Sequence, residues 1–166
     1  MPGRWEAYEE LQRYPLDASR RERLLTEALE CSVTWVDDSG WPLGVVHWFV
    51  WDRGRFFVTV GTRRTRVAAL RARPQSCVIV SGAGTALGPN LSVSAVTRAT
   101  VHADEDLLRW FAGALSVKAY GDHPELAERF EQMLLETERV VIELEPFRFV
   151  SHDGAKMGAA AQEGAP

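Results

Sequence analysis

The stretch WPLGVVHWFVWDRGRFFVTV, residues 41–60, decides the fold. Its first eleven residues are apolar on both parities: Val45, Phe49 and Trp51 share one face, and Val46, Trp48 and Val50 the other. Asp52, Arg53 and Gly54 then supply a tight turn, and residues 55–60 return as the next strand. A strand that is apolar on both faces must be covered on both. In a sheet closed into a barrel, one face fills the interior. The outer face then needs a helix, a partner subunit or a flat ligand.

The pattern extends in both directions from this hairpin. Residues 31–36 (CSVTWV) read as a preceding strand, joined to it by a turn at Asp37 to Gly40. Before that, Asp17 or Ser19 caps a helix running to about Glu30, whose apolar face is Leu24, Leu25, Ala28 and Leu29. Downstream, residues 76–81 (SCVIVS) and the alternating run 91–102 (LSVSAVTRATVH) are strands. Two helices follow, one capped by Asp104 with Leu107, Leu108, Phe111 and Leu115 inward, the other starting near Pro124 with Leu126, Phe130, Met133 and Leu134. Residues 139–145 and 147–151 close the chain as two more strands. Six or seven strands without βαβ alternation predict a mainly β protein, a small antiparallel barrel with flanking helices. The loop GAGTALG, residues 82–88, imitates a dinucleotide fingerprint, but its spacing is wrong and Pro89-Asn90 follows where a helix should start.

Charge is distributed unevenly. From Arg53 to Arg73 there are seven arginines and no acid, so this segment carries +7 while the remaining chain carries −11 and the whole −4. With an acidic remainder, general attraction to nucleic acid or anionic lipid is not expected, and a small anionic ligand is. The strand 55–60 ends at Gly61, and Thr62, Arg63 and Arg64 lead into a short helix that begins near Thr65 and stops before Pro74. The first turn of a helix leaves backbone N–H groups unpaired and carries partial positive charge. With threonine hydroxyls and guanidinium forks from Arg63, Arg64 and Arg66 beside it, this turn reads as a phosphate socket. Arg71 and Arg73 read as a solvated helix face.

At 166 residues the chain is long enough for one domain burying about 70% of its unfolded surface. The expected division is a single domain over 1–157, with an N-terminal helix, and a disordered tail over 158–166. The opening MPGRWEAYEELQRYP shows no apolar run suited to a signal peptide or membrane span, so a cytoplasmic location is expected. Cys31 and Cys77 form no CxxC pair and are read as buried core residues, and no metal site is expected. His47 shares the Phe49 face and reads as a hydrogen-bonded core histidine.

The strands 41–60, the run GTRRTRVAALRARPQSCVIV (61–80), KAYG (118–121) and the closing FRFVSHDGAKM (147–157) together resemble the flavin-binding split β-barrels related to pyridoxamine 5′-phosphate oxidase. The resemblance implies a homodimer with a cofactor site at the subunit interface. The isoalloxazine ring would lie against Val46, His47, Trp48, Thr59 and Val60. The phosphate would be held by Thr62, Arg63, Arg64, Thr65 and Arg66. FMN is the implied cofactor, with the deazaflavin F420 as an alternative, since Arg71 and Arg73 suit its glutamate tail; haem is a further one, with His47, His102, His123 and His152 as candidate ligands. The implied activity is that of an oxidoreductase exchanging hydride or electrons with a small molecule, and the chemistry belongs to the cofactor, so no catalytic residue is assigned. A non-catalytic flavin or haem storage or sensor protein is the alternative. The family often carries Ser or Thr followed by Lys near the helix start, where this chain has Arg64 and Arg66. The C-terminal R-L-x-P pattern of the true vitamin B6 oxidases is missing.

Overall fold

The computed structural model describes residues 14–163. In chain order the elements are α1 (Ala18–Glu27), β1 (Glu30–Val36), β2 (Pro42–Trp48), β3 (Val50–Asp52), β4 (Arg55–Gly61), α2 (Thr65–Ala72), β5 (Gln75–Ser81), β6 (Leu91–His102), α3 (Glu105–Tyr120), α4 (Pro124–Leu135), β7 (Arg139–Asp153) and α5 (Gly154–Glu163). The strands form one seven-stranded sheet in the order β2-β1-β5-β6-β7-β4-β3, every pairing antiparallel. Mainly β architecture with flanking helices follows, as the periodicities predict.

The strand expected over 41–51 is two strands. It breaks at Phe49, and β2 and β3 lie at opposite edges of the sheet. One residue thus carries the chain from one edge to the other, and the sheet curls into a barrel around it. At such a break the backbone polar groups lose their ladder partners and need others. The Phe49 N–H donates to the Leu29 carbonyl (3.1 Å), and the Phe49 carbonyl accepts from Lys118 Nζ of α3 (3.1 Å). The Phe49 ring is fully buried and stacks against Phe56 with the centroids 5.7 Å apart. The period of two continues through the break, so the expected division of faces holds. Val45, Phe49 and Trp51 join the barrel core, while Trp48 and Val50 join a second cluster outside it.

The barrel core is built from Val33 and Trp35 of β1, Phe56, Val58 and Val60 of β4, and their counterparts on β5, β6 and β7. Leu24 and Leu25 of α1 and Val67 and Leu70 of α2 plug it. Asp17 caps α1 by accepting from the Arg20 N–H, an interaction typically worth about 1 kcal/mol. The second cluster lies between the outer face of β3, β4 and β7 and the helices α3 and α4, where Phe111, Leu115 and Leu134 cover Val50, Phe57 and Val141.

Two further differences concern the C-terminus. The strands expected at 139–145 and 147–151 are one, β7, with a bulge: Thr97 faces Pro146 and Val96 faces Arg148, so Phe147 is the extra residue. Proline is tolerated there because β7 has paired with β4 only up to Leu144, and Pro146 lies beyond that edge. The tail expected from residue 158 begins inside α5. Asp153 Oδ1 accepts from the N–H groups of Ala155 and Lys156, Met157 is buried, and the alanines that follow favour helix. Of the two cysteines, Cys31 is core, but Cys77 is half-buried on the outer sheet face.

Candidate functional site

The arginine-rich segment folds as read. β4 ends at Gly61, Arg64 is the N-cap of α2 without a side-chain capping bond, and the first turn of a helix leaves N–H groups that the helix itself does not use. A cleft of about 360 Å³ opens here, lined by Gly61, Thr62, Arg63, Arg64 and Glu138. Its wall is pinned where β4 meets β7, as the Thr62 N–H donates to the Glu138 carbonyl (3.1 Å).

Sequence order hides one member of this cluster. Arg139 opens β7 as the register partner of Gly61, and its guanidinium donates to the Thr137 hydroxyl (2.7 Å) and lines the groove next to this cleft. Burial first and the charge of Arg64 second lower the pKa of both Arg66 and Arg139, so each of them feels Arg64. The acid beside them is Glu138, whose carboxylate reaches Arg63 only at 3.9 Å, with both side chains largely exposed. A surface pair that long contributes little. Arg64 and Arg66 have no carboxylate partner among the described residues, so an anion bound beside Arg64 would meet charge that is not already paired. Arg66 Nε is buried with no protein partner, and its guanidinium lies 5.8 Å from the Trp35 ring centroid. No local motif announces Arg139; only the β4–β7 register places it.

Arg73 belongs elsewhere. It binds Asp38 (2.5 Å) and the Val36 carbonyl (3.2 Å), fastening α2 to the β1–β2 turn. Arg71 is exposed. Arg55 binds Glu143 and Glu145 at 2.9 Å each, away from the socket.

The residues expected against the ring divide between the two faces of the sheet. Val46 points outward and is 57% exposed. Trp48 also points outward, but lies against Tyr120 and Phe130, with its indole N–H on Glu30 (3.3 Å). Thr59 faces outward with its hydroxyl on the Val140 carbonyl (2.9 Å). The Val60 side chain is buried in the barrel core, so only its backbone can meet a ligand. His47 turns inward beside Cys31 on β1, and its Nε2 is buried without a partner, unlike the hydrogen-bonded core histidine expected.

Burial, with help from the charge of Arg66, pushes the His47 pKa down to about 4. An unfolded histidine titrates near 6.5, so between those values the unfolded chain takes up a proton that the folded one refuses. Stability contributed by neutral His47 is thus present above about pH 6.5 and lost as the pH falls toward 4, by on the order of 3 kcal/mol. Replacing His47 with Leu should flatten this part of the stability profile, as read by denaturant unfolding between pH 4 and 7; an unchanged slope would assign it to other groups.

The other candidate haem ligands do not converge. His102 sits on β6 with its Nε2 2.9 Å from Glu143, His123 caps α4, and His152 lies on β7. Among the described residues no group of three or more His, Cys, Asp or Glu side chains is placed to hold a metal ion, and no helix is long and apolar enough to cross a membrane.

No family model and no curated protein matches the chain. Solved structures do match its shape. A conserved hypothetical protein of Mycobacterium tuberculosis superposes with a TM-score of 0.73 at 16% identity, over 86% of this chain and 88% of that one. A structure named F420 reductase gives 0.55 at 20% identity, over 78% and 94%. A Listeria innocua protein provisionally assigned as a pyridoxamine 5′-phosphate oxidase gives 0.57 at 14% identity, over 80% and 95%. At these identities the likeness speaks for architecture. The chain has the split β-barrel fold of the pyridoxamine 5′-phosphate oxidase-like proteins.

Proposed function

We propose that the protein binds a phosphorylated flavin, FMN or the deazaflavin F420, and serves as an oxidoreductase acting on a small molecule. The observation that carries this reading is the cleft at the start of α2 lined by Thr62, Arg63 and Arg64, with Arg66 and Arg139 near enough to feel the Arg64 charge and one loosely held acid beside them. A dianionic phosphate satisfies the free N–H groups of the helix start and the forks of the arginines together. The likeness to a structure named F420 reductase supports the same class of ligand.

When bound, the flavin supplies hydride or electron transfer at its own ring. The chain supplies the rest. Arg63, Arg64 and Arg66 anchor the phosphate, which fixes how far along β2 and β4 the ring can reach. Val46 and the Trp48 edge offer an apolar surface that keeps water from one side, and the backbone of Thr59 and Val60 borders it. No residue of this set needs to exchange a proton, in keeping with the absence of an assigned catalytic acid or base.

A ring on the outer face of β2 needs a second cover, and we assign that to a second copy of the chain. The outer face of β2-β1-β5-β6-β7 carries a cross-strand row of Val46, Ser32, Ile79, Ser94 and Val150, whose apolar members are 57%, 41% and 58% exposed. Replacing Val46 and Ile79 by Asp together should shift the protein to monomer in sedimentation velocity and lower flavin affinity. A monomeric parent protein would remove this part of the reading.

The direct test is the visible absorption spectrum of purified protein, then titration of the cofactor-free form with FMN and with F420. Saturable binding of either supports the reading, and absence of both contradicts it. Turnover of bound flavin by a reductant and an acceptor separates an enzyme from a storage or sensor protein, and a Soret band would indicate haem instead.

A further inference from the structure

The hairpin between β3 and β4 turns on two residues, Arg53 and Gly54, since Asp52 pairs with Arg55. Both have positive φ, 48° and 74°. Positive φ at both central residues is the mark of a type I′ turn, in which asparagine followed by glycine is favoured. An arginine held in the left-handed region is strained, because its Cβ crowds the backbone. Strain kept at an exposed turn points to a use for the side chain.

Arg53 stands on the rim of a cavity of about 290 Å³ between this turn and α3. That volume lies just below the roughly 300–1,000 Å³ of drug-sized ligand sites, so its occupant is a small molecule. The cavity shares no lining residue with the cleft at the start of α2 or with the groove next to it. Leu107 and Trp110, three apart on one face of α3, form an apolar wall. The Phe57 and Trp110 rings meet edge to face with their centroids 5.0 Å apart, and part of the Trp110 ring stays exposed.

The charges beside this wall are of both signs, and most are engaged. Arg55 binds Glu143 and Glu145 at 2.9 Å each, and Glu143 also meets His102 Nε2 at 2.9 Å. Asp52 and Arg53 have only one another among the described residues, 3.3 Å apart with both side chains exposed, a pairing that contributes little. The cavity therefore offers one available carboxylate, one available guanidinium and an aromatic wall. A ligand with an ammonium and a carboxylate on one carbon replaces that weak pair with two charge-assisted contacts. A flat apolar group on the same ligand packs against Trp110.

We propose that this cavity binds a free aromatic α-amino acid, its ammonium on Asp52, its carboxylate on Arg53 and its ring against Trp110. No bond is made or broken in this step; it is recognition alone.

Isothermal titration with L-phenylalanine tests the site, beside 2-phenylethylamine, which lacks the carboxylate, and 3-phenylpropanoate, which lacks the ammonium. L-Phenylalanine is expected to bind once per chain, and each analogue at least about tenfold more weakly, as the loss of one charge-assisted hydrogen bond implies. Arg53→Asn should weaken phenylalanine by a similar factor while raising the melting temperature, because asparagine relieves the turn. Trp110→Ala acts on the ring instead and should also weaken phenylalanine. No binding of phenylalanine to the parent protein, an analogue that binds as tightly, or an affinity unchanged by Arg53→Asn would each overturn the proposal. If Arg53→Asn melts lower, the strain argument falls and Trp110→Ala decides, with unchanged phenylalanine affinity overturning the site.

Discussion

Replacing Arg63, Arg64 and Arg66 together by Ala should lower FMN affinity by at least a hundredfold while leaving the protein folded. Hydrogen bonds to charged groups are worth about 1.5–3 kcal/mol each, and losing two of them alone amounts to about 3–6 kcal/mol. A factor of ten in affinity corresponds to about 1.4 kcal/mol, so a hundredfold loss is the lower bound. Stability should change little in comparison. Arg63 is 92% exposed and its one ion pair is 3.9 Å long. Removing Arg64 relieves the burden it places on Arg66 and Arg139. Isothermal titration with FMN, paired with a thermal melt, reads both quantities. Lost binding with a collapsed melt would make the arginines structural instead. Arg139→Ala tests the residue added by the fold, and a tenfold loss is expected from it.

The second large effect concerns the fold. Phe49→Ala should destabilise the protein by about 3–5 kcal/mol, the range for deleting a fully buried aromatic ring. The residue does more than fill space. Its backbone crosses from one sheet edge to the other, and its ring meets both Phe56 and, at 4.2 Å from the centroid, the Lys118 ammonium. Burial lowers the Lys118 pKa to about 8, and the same group holds the Phe49 carbonyl. Phe147→Ala is the control, since that ring is 70% exposed on its bulge. Chemical denaturation of the two variants should separate them by several kcal/mol, and equal, small losses would mean that the barrel does not depend on the break at Phe49.

Most of the barrel was legible because local signals were strong. Asp17 before an apolar helical face marked α1, the clean alternation of residues 91–102 marked β6, and the two-sided apolar run 41–51 announced an outer face in need of cover, which α3 and α4 give to Trp48 and Val50 while Val46 stays 57% exposed. The same run concealed its break. A period of two cannot distinguish one long strand from two that share a phase, and Phe49 keeps the phase. The bulge at Phe147 was hidden for a different reason: it depends on where β4 stops pairing, which is a property of the partner strand. α5 was missed because its small residues carry little pattern of their own, and Asp153 and the buried Met157 supply the anchor.

The site was legible as charge and less so as shape. Seven arginines without an acid marked the socket, and the helix start appeared where Pro74 and Gly61 bracketed it. Arg73 was set apart from Arg63 and Arg64, which line the cleft, but as a solvated residue, and its ion pair with Asp38 is a contact that only the fold makes. Nor could sequence see Arg139, which becomes a neighbour of Gly61 through strand pairing alone. Val60 illustrates the converse: a residue at the right place along β4 whose side chain turns into the core.

The central claim is that arginines at the start of α2 hold a phosphate, and the measurement closest to it is a pair of titrations of the cofactor-free protein, one with FMN and one with riboflavin. The two ligands share the ring and differ in the phosphate. The account predicts FMN affinity at least a hundredfold higher, with the difference shrinking as salt is raised. Equal affinities, or no binding of either, would contradict it.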